Sequence, residues 1–598
     1  MAPWILGPFG PPKVLVLFAC AACVAGGLAL DAELLHTLIG RLRVSKVAWA
    51  AGALWLIVLL SAALSVDPLR SLIGSYGDYA GLLSFLAATV IGLGAAALPW
   101  EEQWPRVARA VSIALVIASA YGLAQVAGLD FVAIDAGSNL ERLRSTLGNS
   151  SNMGVWALLA VPLAAERVLR DRLLAWRVTA GAGCVLALPV VLMTQSRGAW
   201  AGALAAVVVA VGLLLLRRGD RRTTLRAIGA AVAVVALAAA GIALVPALRE
   251  RLNPARNATI VWRLGVWGAT TRMVADRPLL GWGPGSFRYV YPTYRPPRLE
   301  PREWPEGVTA DAHNLVLSVA ASAGVPGALA LLTLAVAIGG ACLAAVRRGS
   351  HGWPVLLTGT VALAGGFTAL QFHFLTSDTL PAIALLGGFV VAFAPASADG
   401  RAGAGARGVV AVVGLMLACV AVAAAGALEA DRLRLGVLER QSSGASWSEV
   451  AGDLKRAAAL APWEPAFEQT IGKVATQALP HGGDAAIAAQ GETAFDAARR
   501  VSPLDDEIVN DLGLLLLRQG LLASDRTRSE RALDLFAGLT ERDPNNAGRW
   551  AARAQAAAAL GDLESARADL SKALELAPGS TEFRKMLDAV ENLKKGTE

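Results

Sequence analysis

Cysteine, histidine and charge are all scarce in this chain. It has five cysteines and five histidines in 598 residues, and only 17% of its residues are charged. The cysteines all lie inside long apolar runs, at Cys20, Cys23, Cys184, Cys342 and Cys419. The sequence therefore implies neither a disulfide framework nor a thiolate metal site, and the Cys20/Cys23 pair is interpreted as helix packing rather than redox chemistry.

Long apolar runs are what the chain has in abundance. It is 55% hydrophobic, with a mean hydropathy of +0.51, and its runs are long enough to cross a hydrocarbon layer of about 30 Å. The sequence predicts an all-α, polytopic membrane protein with about twelve spans, by the criterion of roughly 20 apolar residues per helix. The predicted spans are 13–30, 47–64, 80–98, 107–126, 149–166, 177–194, 199–216, 226–246, 314–346, 353–373, 378–394 and 408–428.

Arginine-rich loops predict the orientation of these spans. Basic loops favour the cytoplasmic side of a membrane, and the densest ones, which are separated by even numbers of spans, are 41–46, 166–177, 217–226 and 347–351. The loops that then face outward are 66–79, 127–148, 195–198, 247–312 and 374–378. The N-terminus would also lie outside, so either a first helix precedes the present start or residues 1–12 fold against the outer surface. The net charge of +7 is interpreted as membrane topology rather than nucleic-acid binding.

The character of the chain changes after residue 428. Residues 1–428 form the predicted transmembrane domain, whereas 429–598 carry charges, alanine-rich helical patterns and spaced prolines, which predict a soluble domain. Similar segments end at Pro462, Pro503, Pro544 and Pro578, and the last interval matches the tetratricopeptide period of about 34 residues. The domain therefore resembles tetratricopeptide repeats. Because span 408–428 follows a basic cytoplasmic segment, we expect these repeats on the outer side.

The predicted topology sorts the five histidines. His36 and His351 fall on the cytoplasmic side and His481 in the soluble domain, which leaves His313 and His373 on the outer face. A histidine at a membrane edge is more often a hydrogen-bonded interfacial residue than a catalytic one. Its surroundings therefore decide whether His313 is a candidate.

Two arginines belong to those surroundings. Arg197 begins a span after a turn too short to let it reach far into water, and burying a cation at mid-membrane would cost roughly 2.5–3.5 kcal/mol. Residues 260–287 show helical periodicity that predicts an amphipathic outer helix carrying Arg263, followed by a loop with several glycines and prolines. A solvated helix face is the plain alternative for Arg263.

Five segments in order carry a family resemblance. They are "SVDPLRSLIGSYGDYAGLL" (65–83), "RSTLGNSSNMGVWALLAVPL" (144–163), "TQSRGAWAGALAA" (194–206), "RPLLGWGPGSF" (277–287) and "DAHNLVLSVAASAGVPGAL" (311–329). Together they resemble the O-antigen ligase family of bacterial membrane glycosyltransferases, over most of residues 50–395. The resemblance implies a C-type, metal-independent helix bundle in the cytoplasmic (inner) membrane, without a cofactor. It would take a glycan from an undecaprenyl-pyrophosphate carrier to a glycan, lipid or protein acceptor outside.

The chemistry of that reaction suggests a role for each candidate. Guanidinium groups suit the negative charge that accumulates on a pyrophosphate leaving group, so Arg197 and Arg263 are the predicted pyrophosphate ligands. An imidazole can take the proton from an attacking hydroxyl at ambient pH, which is the role predicted for His313. Direct displacement would invert the anomeric configuration.

Four further residues are predicted to bind substrate. Arg144 and Asn149 precede a span and could position the sugar or the pyrophosphate, although helix capping is at least as good an explanation of Asn149. Asn314 follows His313 directly, and Asp311 could orient His313 or be a plain loop acid. The segment "GWGPGSF" lacks the lysine and the strand-to-helix context of a phosphate-binding loop, so it is interpreted as a turn.

The sequence leaves several functions open. Ligases, O-antigen or exopolysaccharide polymerases and protein O-oligosaccharyltransferases share the motif pattern. A polysaccharide transporter would also have many spans and intramembrane cations, but no pair of interrupted helices is evident in the sequence. In an assembly scaffold, the repeats would recruit protein partners and the membrane part would only anchor them.

Overall fold

The computed structural model describes residues 10–75, 79–130, 143–216, isolated positions between 225 and 244, 258–297, 309–350, 352–395, 403–479 and 485–597. Within these ranges the secondary structure is helical and contains no strand. The predicted all-α fold class is confirmed.

The membrane part consists of fifteen helices in chain order. They are α1 (Gly10–Leu30), α2 (Ala32–Val44), α3 (Lys46–Ala63), α4 (Pro68–Ile73), α5 (Leu82–Ala97), α6 (Trp100–Val126), α7 (Ser150–Arg170), α8 (Leu174–Met193), α9 (Arg197–Leu216), α10 (Ala258–Asp276), α11 (Phe287–Tyr294), α12 (Leu315–Arg348), α13 (Trp353–Ala369), α14 (Leu380–Ala392) and α15 (Ala404–Ser442).

Most of the predicted spans correspond to apolar helices. Nine helices of the described part are long and apolar enough to cross a membrane, and α5 and α14 are shorter apolar helices at two further predicted spans. The chain is thus a multi-pass membrane protein. The predicted span 226–246 lies largely outside the described residues. Helix α2, within the predicted basic loop, is amphipathic and begins with a cap from Asp31.

Small residues allow the two short helices to pack closely. A Cβ atom added to Gly92 of α5 would lie 2.6 Å from the carbonyl oxygen of Ala384 in α14, and one added to Gly388 would lie 2.0 Å from that of Gly92. The same device joins α9 to α13, where a Cβ on Gly202 would lie 2.5 Å from the Gly365 carbonyl oxygen. Close backbone approach of this kind replaces the hydrophobic effect as the cause of helix association in lipid.

Helix α12 is broken near its beginning, where the sequence predicted one continuous span. Gly324 has a φ of +71°, in the left-handed region. Pro326 has no N–H for the carbonyl of Ser322, four residues earlier, which an uninterrupted helix would require. The freed Ser322 oxygen instead accepts hydrogen bonds from the Gly283 N–H at 2.9 Å and the Ser61 hydroxyl at 2.5 Å.

The segment 277–287 fills this break. The Trp282 N–H donates to the Ala321 carbonyl at 2.9 Å, and the Val325 N–H donates to the Pro278 carbonyl at 2.8 Å. A Cβ on Gly324 would lie 2.4 Å from the carbonyl carbon of Leu279. The predicted turn is therefore a backbone splice that satisfies polar groups freed by the helix break.

The C-terminal part consists of eight further helices, and the prolines noted in the sequence lie in turns between them. They are α16 (Trp447–Leu460), α17 (Pro465–Ala478), α18 (Ala485–Val501), α19 (Asp506–Ala523), α20 (Arg526–Arg542), α21 (Ala547–Ala559), α22 (Leu563–Leu576) and α23 (Thr581–Thr597). Each packs on the next, and α17, α19 and α21 also pack on one another in turn. Stacked helices of this kind are compatible with the tetratricopeptide assignment, which stays a prediction.

The C-terminal helices dock on two loops of the membrane domain. The Arg70 guanidinium donates to the Trp463 carbonyl at 2.5 Å, and Arg295 forms an ion pair with Asp543 at 3.0 Å. Arg70 belongs to the predicted outer loop 66–79 and Arg295 to the predicted outer loop 247–312. These contacts place the C-terminal helices on the face of the membrane domain that carries both loops.

Candidate functional site

Backbone strain is concentrated in the motifs. Of the five non-glycine residues with positive φ in the described part of the chain, Tyr79, Ser145, Gln195 and His313 lie in four of the five segments that carry the family resemblance. The fifth, Ser524, ends a C-terminal helix. Strained backbone persists where surrounding contacts hold it, and it is common at functional sites. This pattern directs attention to the loops between the spans.

His313 stands at the start of helix α12, held by Asp311. Its backbone N–H donates to Oδ1 of Asp311 at 2.5 Å, and its ring Nδ1 lies 3.0 Å from the same oxygen. A carboxylate at Nδ1 favours the tautomer with the proton on Nδ1, which leaves Nε2 as an acceptor. The His313 side chain keeps 20% of its surface exposed. The arrangement is that of an oriented, accessible proton acceptor.

Aromatic rings surround the His313 imidazole. Trp262 meets it edge to face at a centroid distance of 4.9 Å, and Phe374 lies at 5.3 Å. The second outer-face histidine, His373, has its ring centroid 6.3 Å away. The Trp267 indole also donates to the carbonyl of Ala312 at 3.0 Å, which ties the loop to helix α10. The ring therefore lies in an aromatic recess.

Arg263 is the charged neighbour that the structure characterises best. Burial lowers its pKa to about 10, the nearby charge of Arg197 lowers it further, and Asp311 acts in the opposite direction. Its Nε atom is buried and has no hydrogen-bond partner among the residues that the structure describes. The two arginines and the Asp311–His313 pair thus form one cluster. A desolvated guanidinium beside a second one is suited to a multivalent anion.

The asparagines predicted to bind substrate both cap helices. Asn149 accepts a hydrogen bond from the Ser151 N–H at 2.8 Å at the start of α7. Asn314 accepts from the Leu317 N–H at 3.0 Å and donates to the Gln371 carbonyl at 3.2 Å. Capping explains their positions, and substrate binding by either stays a prediction.

Arg144 precedes the short turn Ser145–Leu147. The turn is attached to α6, because the Ser145 hydroxyl donates to the Ala118 carbonyl at 2.6 Å. Within the described part of the chain, the contacts do not link Arg144 to the His313 cluster, so its predicted role in substrate binding also stays a prediction.

Sequence reasoning missed a buried polar chain behind His313. His373 is 4% exposed, and its Nε2 hydrogen-bonds to Oδ1 of Asn152. Asn152 in turn hydrogen-bonds to Asp378, whose carboxylate pairs with Lys13 at 2.7 Å. These residues come from four separate segments. The outer-face position of His373 was the only sequence signal for this chain.

The fold and the cluster define a class: a multi-pass, all-helical membrane protein with a charged site at the ends of its helices. Residues 182–332 match the family described as O-antigen ligase. The chain therefore contains an O-antigen ligase domain, and in general terms it is a membrane glycosyltransferase of the ligase and polymerase type. The matched segment includes Arg197, Arg263, Asp311 and His313, but not His373. Comparison with curated proteins gives no significant match.

Proposed function

We propose that this protein transfers or polymerises a glycan from an undecaprenyl-pyrophosphate carrier onto an acceptor on the outer side of the bacterial cytoplasmic membrane. The observation that carries the proposal is the cluster of His313, Asp311, Arg197 and Arg263 inside the O-antigen ligase segment. Its two cations and its oriented base match the two demands of the reaction, a stabilised leaving group and a deprotonated acceptor.

The arginines would bind the pyrophosphate. As the bond from the anomeric carbon to the phosphate oxygen breaks, its electron pair passes to the departing undecaprenyl pyrophosphate. Arg263 has a buried Nε without a partner among the described residues, and its pKa of about 10 still leaves it charged at neutral pH. Fixed cations aimed at developing negative charge lower the barrier without the need for a metal ion.

His313 would act as the general base. The acceptor hydroxyl forms a bond to the anomeric carbon and gives its proton to Nε2, while Asp311 at Nδ1 stabilises the imidazolium. Attack opposite the leaving group inverts the anomeric configuration. The left-handed backbone of His313 aims the ring and is held by the hydrogen bond from its own N–H to Asp311.

The broken helix α12 is the one observation that favours a transporter, because discontinuous helices line many transport sites. In this protein, however, two carbonyl groups at the break are hydrogen-bonded to the segment 277–287. The break therefore serves packing, and the glycosyltransferase interpretation is preferred.

Reconstitution with a labelled undecaprenyl-pyrophosphate glycan tests the proposal. His313→Ala is expected to insert normally and to lose transfer by a factor of about 10²–10⁴, the usual contribution of a general base. His36→Ala, on helix α2, is the matched histidine control. Transfer by His313→Ala at the wild-type rate would refute the role of His313. Analysis of the product separates a ligase from a polymerase, a protein O-oligosaccharyltransferase and mere translocation.

A further inference from the structure

We infer that His373 is a positioning residue, held by Asn152, Asp378 and Lys13, which keeps the His313 ring against Asp311. The inference rests on the proposed function of His313. It concerns a histidine outside the O-antigen ligase segment and a set of contacts that reaches the first helix of the chain.

The contacts form a continuous chain. Lys13 of α1 pairs with Asp378 at 2.7 Å, and Asp378 hydrogen-bonds to Asn152 in the first turn of α7. Asn152 then hydrogen-bonds to Nε2 of His373. The side chains of Asp378 and His373 are almost wholly buried. Polar groups buried in this way are costly unless they are paired, so each member restricts the next.

The chain also determines the direction of each hydrogen bond. Asp378 can only accept when it is ionised, so the Asn152 amide nitrogen faces Asp378 and the amide oxygen faces His373. The oxygen must accept, which places a proton on Nε2 of His373. The pairing with Lys13 supports the ionised carboxylate, although burial raises the pKa of Asp378. The ring of His373 is thereby fixed in one orientation.

His373 and its neighbour form one wall of the recess around His313. Phe374 packs 4.2 Å from the His373 ring and 5.3 Å from the His313 ring, measured between centroids. Trp262 closes the opposite side at 4.9 Å. Between these walls the imidazole keeps Nδ1 3.0 Å from Asp311. If the His373 wall is removed, His313 can rotate away from Asp311 and lose the stabilisation of its imidazolium form.

The charged and titratable groups around His313 come from several elements. They are Asp311 in its own loop, Arg263 of α10, Arg197 of α9, and His373 with Asp378 and Lys13 behind it. Two mechanisms therefore predict opposite shifts of the pH profile. Loss of positioning weakens the Asp311 contact and moves the acid limb of kcat/KM to lower pH. Loss of a nearby positive charge would also move it to lower pH only if that charge were replaced by a negative one; removal of the charge by itself moves it to higher pH.

The experiment compares His373→Ala, His373→Gln and Asn152→Ala in the full-length protein. We expect the two alanine variants to lower kcat by about 10- to 100-fold, because small errors in the placement of a reacting group cost this much. The donor KM should stay within a factor of about two, and the acid limb of kcat/KM should move to lower pH. His373→Gln should recover part of the rate, because its amide nitrogen can donate to Asn152. Ser151→Ala, one residue away on the same turn, is the control and should resemble the wild type.

Three outcomes would overturn the inference. They are wild-type kinetics in both alanine variants, an acid limb displaced to higher pH, and a loss confined to donor KM. If either alanine variant folds poorly, His373→Gln decides by the same criteria.

A second measurement does not depend on turnover. Diethyl pyrocarbonate modifies neutral imidazole, and peptide mass spectrometry gives its rate at His313 as a function of pH. The pH midpoint of modification should fall in His373→Ala, and an unchanged or raised midpoint would contradict positioning. His313→Ala distinguishes the two failures: if it remains active, the proposed function fails, whereas an inactive His313→Ala beside fully active His373 variants removes only the present inference.

Discussion

Replacement of Asp311 by asparagine tests the proposed base most directly. The amide oxygen of the substituted side chain can still accept the hydrogen bond that the His313 N–H gives to Asp311 at 2.5 Å, so the strained loop should keep its shape. The negative charge 3.0 Å from Nδ1 is lost. Asp311→Asn therefore separates the electrostatic role of the carboxylate from its structural one.

The size of the effect follows from the geometry. Two unit charges at this distance would interact by about 5–6 kcal/mol at an effective dielectric constant of 20. Both side chains are about one-fifth exposed, and Arg263 also lies near Asp311, so the net contribution must be smaller. Hydrogen bonds to charged groups contribute about 1.5–3 kcal/mol, which corresponds to a loss of roughly 10- to 150-fold in kcat.

The assay is glycan transfer from labelled donor in proteoliposomes, measured across pH. The acid limb of kcat/KM should move to lower pH, because the imidazolium has lost its partner. Asp276→Asn is a suitable control, since this carboxylate accepts from Tyr294 at the end of the helix that carries Arg263. Wild-type kcat and an unmoved acid limb in Asp311→Asn would show that Asp311 contributes only to the loop.

Three further predictions concern other parts of the molecule. Arg197→Lys and Arg263→Lys should each impair transfer at unchanged net charge, because lysine lacks the planar fork; full activity of both in the transfer assay would remove the bidentate argument. Gly324→Ala should lower the melting temperature of the purified protein, because φ is +71° there and the backbone of another segment leaves no space, whereas Gly339→Ala, with open space around it, should not; equal melting temperatures would contradict the splice. Ser580→Cys should react with a membrane-impermeant maleimide in intact cells or spheroplasts, and labelling only after membrane rupture would place the C-terminal helices in the cytoplasm.

The spans could be predicted from the sequence because hydropathy is a local property. The break in α12 could not, because the residues around Gly324 are apolar and the run reads as one long span. The signal was Pro326, but proline is tolerated inside many membrane helices, as at Pro162 of α7 and Pro189 of α8. What decides the outcome at Gly324 is a partner segment that lies about forty residues earlier in the chain.

The candidate site was predictable in its members but not in its connections. The family resemblance identified His313, Arg197 and Arg263 as residues that should meet, and the contacts place them in one cluster. No spacing rule could show that Asn152 and His373 meet, because the two are brought together by the packing of separate helices. Asn149, three residues before Asn152, was the more visible candidate and proves to be a helix cap.

The docking of the C-terminal helices bears on how an acceptor could reach the site. Arg70, whose side chain is 1% exposed, lies 3.7 Å from Glu464, and burial raises the pKa of Glu464 to about 7. Buried charges tolerate little displacement, so the two domains meet in a defined orientation.

The loop around Arg70 leads from this interface to the site. The Ser71 hydroxyl donates to the Pro284 carbonyl at 2.7 Å, and Pro284 belongs to the segment that splices the break in the helix beginning just after His313. The C-terminal helices are therefore connected to the histidine through short hydrogen bonds between backbone segments. An acceptor or partner protein bound to them would be presented to His313 at a fixed distance, which a flexible tether could not provide.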